Sequence, residues 1–307
     1  MQVPGRGTDR SSWFLLGTLA LIWGSSFILM KRGLWAEGRP MLSPGQVASA
    51  RLAIAWAVLV PATLRHWPLL RPYWRPLLLA GVLGNGVPAL LFATAQTRID
   101  SALSGMLNSL TPLFTLVVGL LLFGTQARLA QLGGVLLGLV GAVGLVGFDL
   151  GPGAAGWSPY ALLPVLGTVC YGASANVVKH QLHRLPATAT AALALTFVGP
   201  IGFGGCVATD LAGTLREVPG AWSALGYVAL LALLSSALSL VLWNALLKRT
   251  SAVRASSVTY LMPVVAIGWG LLDGEQLGAM QVLMIAVVLG GVYLVSASDR
   301  TGTVGAG

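Results

Sequence analysis

Polar side chains recur inside the apolar stretches of this chain, where hydrocarbon offers them no partner. Asn85, Pro88, Phe92 and Gln96 follow one another at intervals of 3, 4 and 4, which puts them on one helical face. Ser236, Ser239 and Trp243 line a face of a later stretch, with Asn244 beside them. Asn108 and Thr111 precede Pro112, and Thr259 and Tyr260 precede Pro263. Two readings of this set stand. One is interhelical hydrogen bonding, worth about 0.6 kcal/mol per bond on average. The other is a polar cavity for a polar or zwitterionic solute. Trp23 and Tyr171 could wall such a cavity with aromatic faces, while Ser25, Ser26, Ser174 and Asn176 satisfy the solute's polar atoms. Arg51 is the only cation well inside an apolar stretch, roughly 10 Å along its helix. A mid-bilayer Arg costs about 2.5–3.5 kcal/mol on insertion scales. It either snorkels to the surface or serves as counter-charge to a substrate carboxylate or an internal ion pair. Pro112 and Pro263 either fix a kink or act as hinges.

Other chemistries lack their residues. The chain has no glycine-rich nucleotide loop ending in Gly-Lys. Its three histidines, His66, His180 and His183, fall at the edges of apolar stretches and form no cluster with Cys or Asp, so no metal or other cofactor is expected. Cys170 and Cys206 both lie in apolar surroundings and imply no disulfide framework. No catalytic set emerges, so an enzyme is not expected. No Asp or Glu falls in the middle of an apolar stretch, and ion-coupled carriers commonly use such an acid.

These residues need long apolar helices to hold them. The chain is 56% hydrophobic and 9% charged, with 40 glycines, where a soluble domain carries roughly 25% charged residues. That describes a polytopic helical membrane protein. Ten apolar segments can be marked: 12–31, 45–64, 76–96, 101–123, 128–148, 159–180, 187–208, 221–246, 251–272 and 277–297. The first, closed by Lys31-Arg32 with no small-residue cleavage site before them, reads as a retained helix and not a signal peptide. With the amino terminus inside, the inner loops hold twelve basic residues: Arg6, Arg10, Arg65, Arg71, Arg75, Arg128, Lys179, Arg184, Lys248, Arg249, Arg254 and Arg300. The outer loops hold five, Lys31, Arg32, Arg39, Arg98 and Arg216. This asymmetry obeys the positive-inside rule and places both termini in the cytoplasm. The net charge of +9 therefore reflects loops, and no nucleic-acid partner is expected. The basic, aromatic loop 65–75 reads as an interfacial anchor.

The segments repeat. Trp23-Gly24-Ser25-Ser26-Phe27-Ile28-Leu29-Met30-Lys31 echoes 148 residues later as Tyr171-Gly172-Ala173-Ser174-Ala175-Asn176-Val177-Val178-Lys179. Arg98, Leu110, Pro112, Gly119, Leu120 and Leu121 match Arg249, Leu261, Pro263, Gly270, Leu271 and Leu272 at spacing 151. Residues 1–150 and 151–307 thus read as two copies of one unit, meeting near 149–157. Five segments per copy is an odd number, so the second copy enters the membrane inverted. Inverted repeats suit a carrier whose central site opens to either side in turn.

Several stretches resemble motifs of one family. Leu21-Ile22-Trp23-Gly24-Ser25-Ser26-Phe27 is similar to the first-helix signature of the EamA branch of the drug/metabolite transporter superfamily. Ala50-Arg51-Leu52 resembles its second-helix motif, and Leu110-Thr111-Pro112-Leu113 and Leu261-Met262-Pro263-Val264 its fourth and ninth helices. The glycine-rich runs 138–144 and 290–295 resemble its fifth and tenth. The chain departs from the pattern at Gly124-Thr125, where the family carries Gly-Glu, though Gly274-Glu275 keeps it. The resemblance implies an all-α integral membrane protein of ten helices in two inverted five-helix repeats. It further implies export of amino acids or related small metabolites across the bacterial inner membrane. A carrier of drugs or amphipathic, lipid-linked cargo is the alternative. The partners expected are a small-molecule substrate and the lipid bilayer. Cargo identity, coupling ion and oligomeric state are left open.

Overall fold

The computed structural model describes residues 10–147, 158–249, 252, 255 and 257–301. The expected repeat boundary at 149–157 lies outside them. The described chain is helical apart from connections and one short hairpin. Helix α1 (Arg10–Leu34) leads into strands β1 (Trp35–Ala36) and β2 (Arg39–Pro40), which pair Trp35 with Pro40 and Ala36 with Arg39. The hairpin turn places Glu37 at φ 52° and Gly38 at φ 73°, the two positive φ values that match a tight turn to strand twist. Helix α2 (Pro44–His66) starts at a capping box: Ser43 and Gln46 bond each other's backbone N–H, and Pro44 takes the first turn.

Several expected continuous segments are interrupted. The third, expected over 76–96, is α3 (Leu70–Gly81), a widened π turn (Val82–Gly86) and α4 (Val87–Ala95). Pro88 has no N–H, and its ring crowds the carbonyl four residues back, so the ladder must widen there. The eighth is likewise α11 (Ala221–Leu231), a π turn (Ala232–Leu238) and α12 (Ser239–Arg249). Here Ser239 Oγ donates to Leu234 O, five residues back, at 2.7 Å. The two wide turns start 150 residues apart. The fourth segment is broken into α5 (Ser101–Asn108) and α6 (Thr111–Phe123), with Thr111 Oγ1 bonding Asn108 O across the break at 2.7 Å. A 3-10 turn (Ser257–Tyr260) before α13 (Met262–Leu272) forms the matching break in the ninth. Pro112 and Pro263 therefore sit in the first turn of a new helix and not in a bent helix interior. The remaining helices are α7 (Leu129–Gly147), α8 (Leu162–Gln181), α9 (Ala187–Ala208), α10 (Leu211–Glu217) and α14 (Ala279–Thr301).

Among the described residues six helical runs are long and apolar enough to cross a membrane, and one of these, Pro44–Ala95, is 52 residues long. Three shorter apolar helices join them: Leu129–Leu145, Met262–Leu272 and Ala279–Val295. Large apolar side chains such as Leu121, Ile201, Phe203 and Leu272 point outward, as lipid requires and water would penalise.

The packing partners also repeat. Helix α2 packs along α9, and α7 along α14. Helix α1 packs on α13 and α11, while α8 packs on α6 and α4. Helix α8 also packs on α3, and exchanging each element for the one 150 residues away then carries α1 on α13 and α11 onto α8 on α6 and α3. Glycines let these pairs approach. A Cβ on Gly24 would lie 2.5 Å from Val265 Cβ, and one on Gly172 would lie 2.7 Å from the Thr115 backbone nitrogen. No side chain fits at either place.

Candidate functional site

A cavity of about 100 Å³ lies where α1, α2, the first wide turn, α8, α9, the second wide turn and α12 converge. Its aromatic lining comes from both halves of the chain. Trp23 meets Trp243 edge to face at 5.4 Å, with rings 61° apart. Phe92 stands between Phe27 and Tyr171 at 5.9 Å from each, nearly parallel to Tyr171. Both geometries are those the ring quadrupole favours. Trp23 Nε1 donates to Ser235 O at 3.2 Å, which fixes the indole to the second wide turn.

The polar lining is partly satisfied. Arg51 Nε donates to Ser236 Oγ at 2.7 Å, so it reaches inward across the bundle instead of snorkelling. Ser174 Oγ donates to Ala80 O at 3.2 Å, and Asn108 Nδ2 to Met262 Sδ at 3.7 Å. Asn244 Nδ2 donates to Leu240 O at 2.7 Å, but its Oδ1 has no partner. Asn85 Nδ2 is likewise unpartnered. Among the described residues no Asp or Glu lines the cavity.

The cavity thus gathers Trp23, Ser26, Arg51, Asn85, Asn108, Tyr171, Ser174, Trp243, Asn244 and Thr259 from the sequence-based set. Three others lie elsewhere. Ser25 Oγ donates to Leu21 O at 2.8 Å and accepts from Trp269 Nε1 at 2.8 Å, tying α1 to α13. Asn176 Nδ2 donates to Thr115 O and Gly172 O at 2.8 and 2.9 Å, tying α8 to α6. Gln96 is buried at the end of α4, with both amide atoms unpartnered, beside a charged cleft of Lys31, Arg32, Arg98 and Asp273. It lies one turn beyond Phe92, the last residue of that face to line the cavity. The Tyr260 side chain lies outside the described residues. Sequence reasoning missed Phe27, Met30, Gly84, Thr190, Ser235 and Met262. Phe27 and Met30 share the first signature with Trp23, at helical spacing. Thr190 carries no local signal, because packing of α9 against α2 is what brings it inward.

At one end, three segments converge on charge. Lys31 Nζ lies 2.6 Å from Asp273 Oδ2 and 2.7 Å from Glu275 Oε1, and Arg32 also pairs with Asp273. Glu275 then accepts from Ser101 Oγ at 2.6 Å, Ser101 N at 3.1 Å and Ala102 N at 2.9 Å. These contacts cap α5, where backbone N–H groups favour an anion. Burial alone would push the Glu275 carboxyl up, but the bonds from Lys31, Ser101 and Ala102 outweigh it and hold the pKa below the ordinary range. The network joins the end of α1 to the loop after α13 and the start of α5. At the equivalent end of α8, Lys179 Nζ donates to the Leu247 carbonyl at 2.9 Å.

A model of the EamA-like transporter family matches residues 11–147 and again 158–297. YedA of Escherichia coli, named as an uncharacterized inner membrane transporter, is 27% identical over 289 residues, covering 92% of this chain and 89% of that protein. A Salmonella typhimurium protein named as a probable amino-acid metabolite efflux pump is 24% identical, covering 93% and 95%. A solved crystal structure shares the fold, with TM-score 0.63 and 19% identity over 96% of this chain and 99% of that one.

Proposed function

The chain belongs to the EamA-like transporter family, and on that premise we propose that it is a secondary transporter exporting amino acids or related small metabolites across the bacterial inner membrane by alternating access. The cavity carries this reading: its aromatic and amide walls come from both halves of the chain, as a site between two repeats requires. Its volume of about 100 Å³ favours a small solute over a drug-sized one, which needs a pocket of roughly 300–1,000 Å³. The name of the Salmonella typhimurium relative supports the same cargo class, and that of YedA the same membrane.

In this reading residues 1–150 and 151–307 are inverted five-helix repeats with ten crossings and both termini cytoplasmic. The run Pro44–Ala95 makes two of those crossings, turned back at Trp67–Leu69. A straight helix that long would span about 78 Å against a hydrocarbon core of about 30 Å. The matched breaks before Pro112 and Pro263 and the matched wide turns are where each half can flex. The Lys31–Glu275 network is a latch that shuts the outer mouth. Arg51, Asn85, Asn108, Trp243, Asn244 and Thr259 meet the cargo's polar atoms, and Trp23 and Tyr171 flank its apolar part.

Purified protein in liposomes, screened for counterflow of labelled amino acids, tests this. At least one should exchange, and Trp23→Ala or Tyr171→Ala should cut its rate severalfold while membrane expression stays near wild type. Loss of protein instead of loss of transport would return both rings to a packing role. Exchange of no small metabolite would sink the proposal.

A further inference from the structure

Resting on the transport reading, the unmet valences of the cavity specify the chemistry of its cargo. Arg51 carries a permanent charge, because a guanidinium does not deprotonate in proteins. Its protein neighbours are neutral: Nε donates to Ser236 Oγ, and the Tyr171 hydroxyl stands beside it. Among the described residues it belongs to no ion pair. The acids of the outer latch are already committed to Lys31 and Arg32. A cation held in such a place without a counter-ion is costly.

Two further valences are unfilled in the same cavity. Asn85 Nδ2 is a donor with nothing to donate to, and Asn244 Oδ1 is an acceptor with nothing to accept. They sit in or near the two wide turns, at one end in α3–α4 and at the other in α12. Buried polar atoms of this kind are rare in folded proteins and mark a missing partner. Arg51 and Asn85 both line the cavity, and both offer donors of the kind a carboxylate accepts. Asn244 Oδ1, next to the Trp23–Trp243 pair, offers an acceptor and aromatic faces for an ammonium group.

We infer that the cavity selects solutes bearing a carboxylate and that Arg51 is the residue that binds it. A cationic solute is rejected by the same charge. This differs from a generic polar cavity, which would take an amide or a sugar as well as an acid.

The test measures binding to the full chain in nanodiscs, with three matched sets of probes: the neutral amino acids, their carboxamides, and their deaminated carboxylic acids. At least one amino acid or deaminated acid should bind. Its carboxamide should bind at least tenfold more weakly to the wild-type protein. Arg51→Gln should weaken the carboxylate by about 10- to 150-fold, the range for a hydrogen bond to a charged group, and should not weaken binding of the carboxamides, which carry a positive charge. Arg51→Lys should restore part of the loss. The carboxamide comparison uses wild-type protein, so it decides the matter even where Arg51→Gln fails to fold. Binding of deaminated acids as tight as that of amino acids assigns recognition to the carboxylate alone, whereas binding of amino acids only adds the ammonium contact. Carboxamides binding as well as acids would overturn the assignment while leaving transport intact. Binding of nothing in any set would overturn both.

Discussion

Glu275→Gln should unlatch the outer mouth. The carboxylate joins three elements: Lys31 of α1 at 2.7 Å, the loop after α13, and the first turn of α5 through Ser101 and Ala102. Glutamine keeps the shape but has one acceptor oxygen where the structure uses two. Either the Ser101 and Lys31 contacts or the Ala102 N–H then faces an amide donor. An unpaired buried donor costs about 1–3 kcal/mol. The lost charge adds little, since Lys31 is 25% exposed and keeps Asp273, and exposed pairs contribute about 0–1 kcal/mol. A total near 2–3 kcal/mol shifts a two-state equilibrium by about 30- to 150-fold. The assay is labelling of Met30→Cys, in a background with Cys170 and Cys206 replaced by alanine, by a membrane-impermeant thiol reagent added outside. Met30 lines the cavity one residue from the latch, so its labelling rate should rise by that order. The pH dependence has a fixed sign. Burial opposes ionisation of Glu275, but its hydrogen bonds hold the pKa below the ordinary value, so the latch is intact above the unlatched pKa of about 4.3. It is lost only as pH falls through the depressed value. Labelling of otherwise wild-type protein, divided by that of the same cysteine in unfolded protein to remove the thiolate fraction, should therefore be flat from about pH 8 to 5. Unchanged labelling in Glu275→Gln, or labelling that rises between pH 7 and 5.5, would refute the latch.

Reporter fusions after Gly307 should give a cytoplasmic signal, and fusions within 149–157 an external one; a cytoplasmic signal from 149–157 would contradict inverted repeats. An imposed proton gradient alone should not drive uphill transport, since no carboxyl group lines the cavity among the described residues; concentrative uptake on that gradient in liposomes would show another proton carrier. Gly172→Ala should destabilise the α8–α6 crossing by about 1–3 kcal/mol, because its Cβ meets the Thr115 and Phe114 backbone at 2.7 and 2.8 Å. The readout is the melting temperature in detergent, and a change of under a degree would mean that the helices separate without penalty.

Much of this protein is written locally. Low charge and long apolar runs determine a helical membrane protein, because hydrocarbon admits little else. The echo of Trp23 at Tyr171 and of Pro112 at Pro263 is likewise visible in the chain alone, and the structure repeats it in matched helix breaks. Arg51 was legible as an anomaly, since any cation that deep needs a reason. Other features depend on the third dimension. Asn85 and Gln96 share one face, yet only Asn85 reaches the cavity, because a face runs the length of a helix and the cavity ends at Phe92, one turn short of Gln96. Asn176 and Ser174 are neighbours, yet one ties α8 to α6 and the other looks inward. Glu275 bonds residues more than 170 positions away, and no sequence period announces that pair. Periodicity tells which side chains share a direction. Only packing decides what stands in that direction: lipid, another helix or an open cavity.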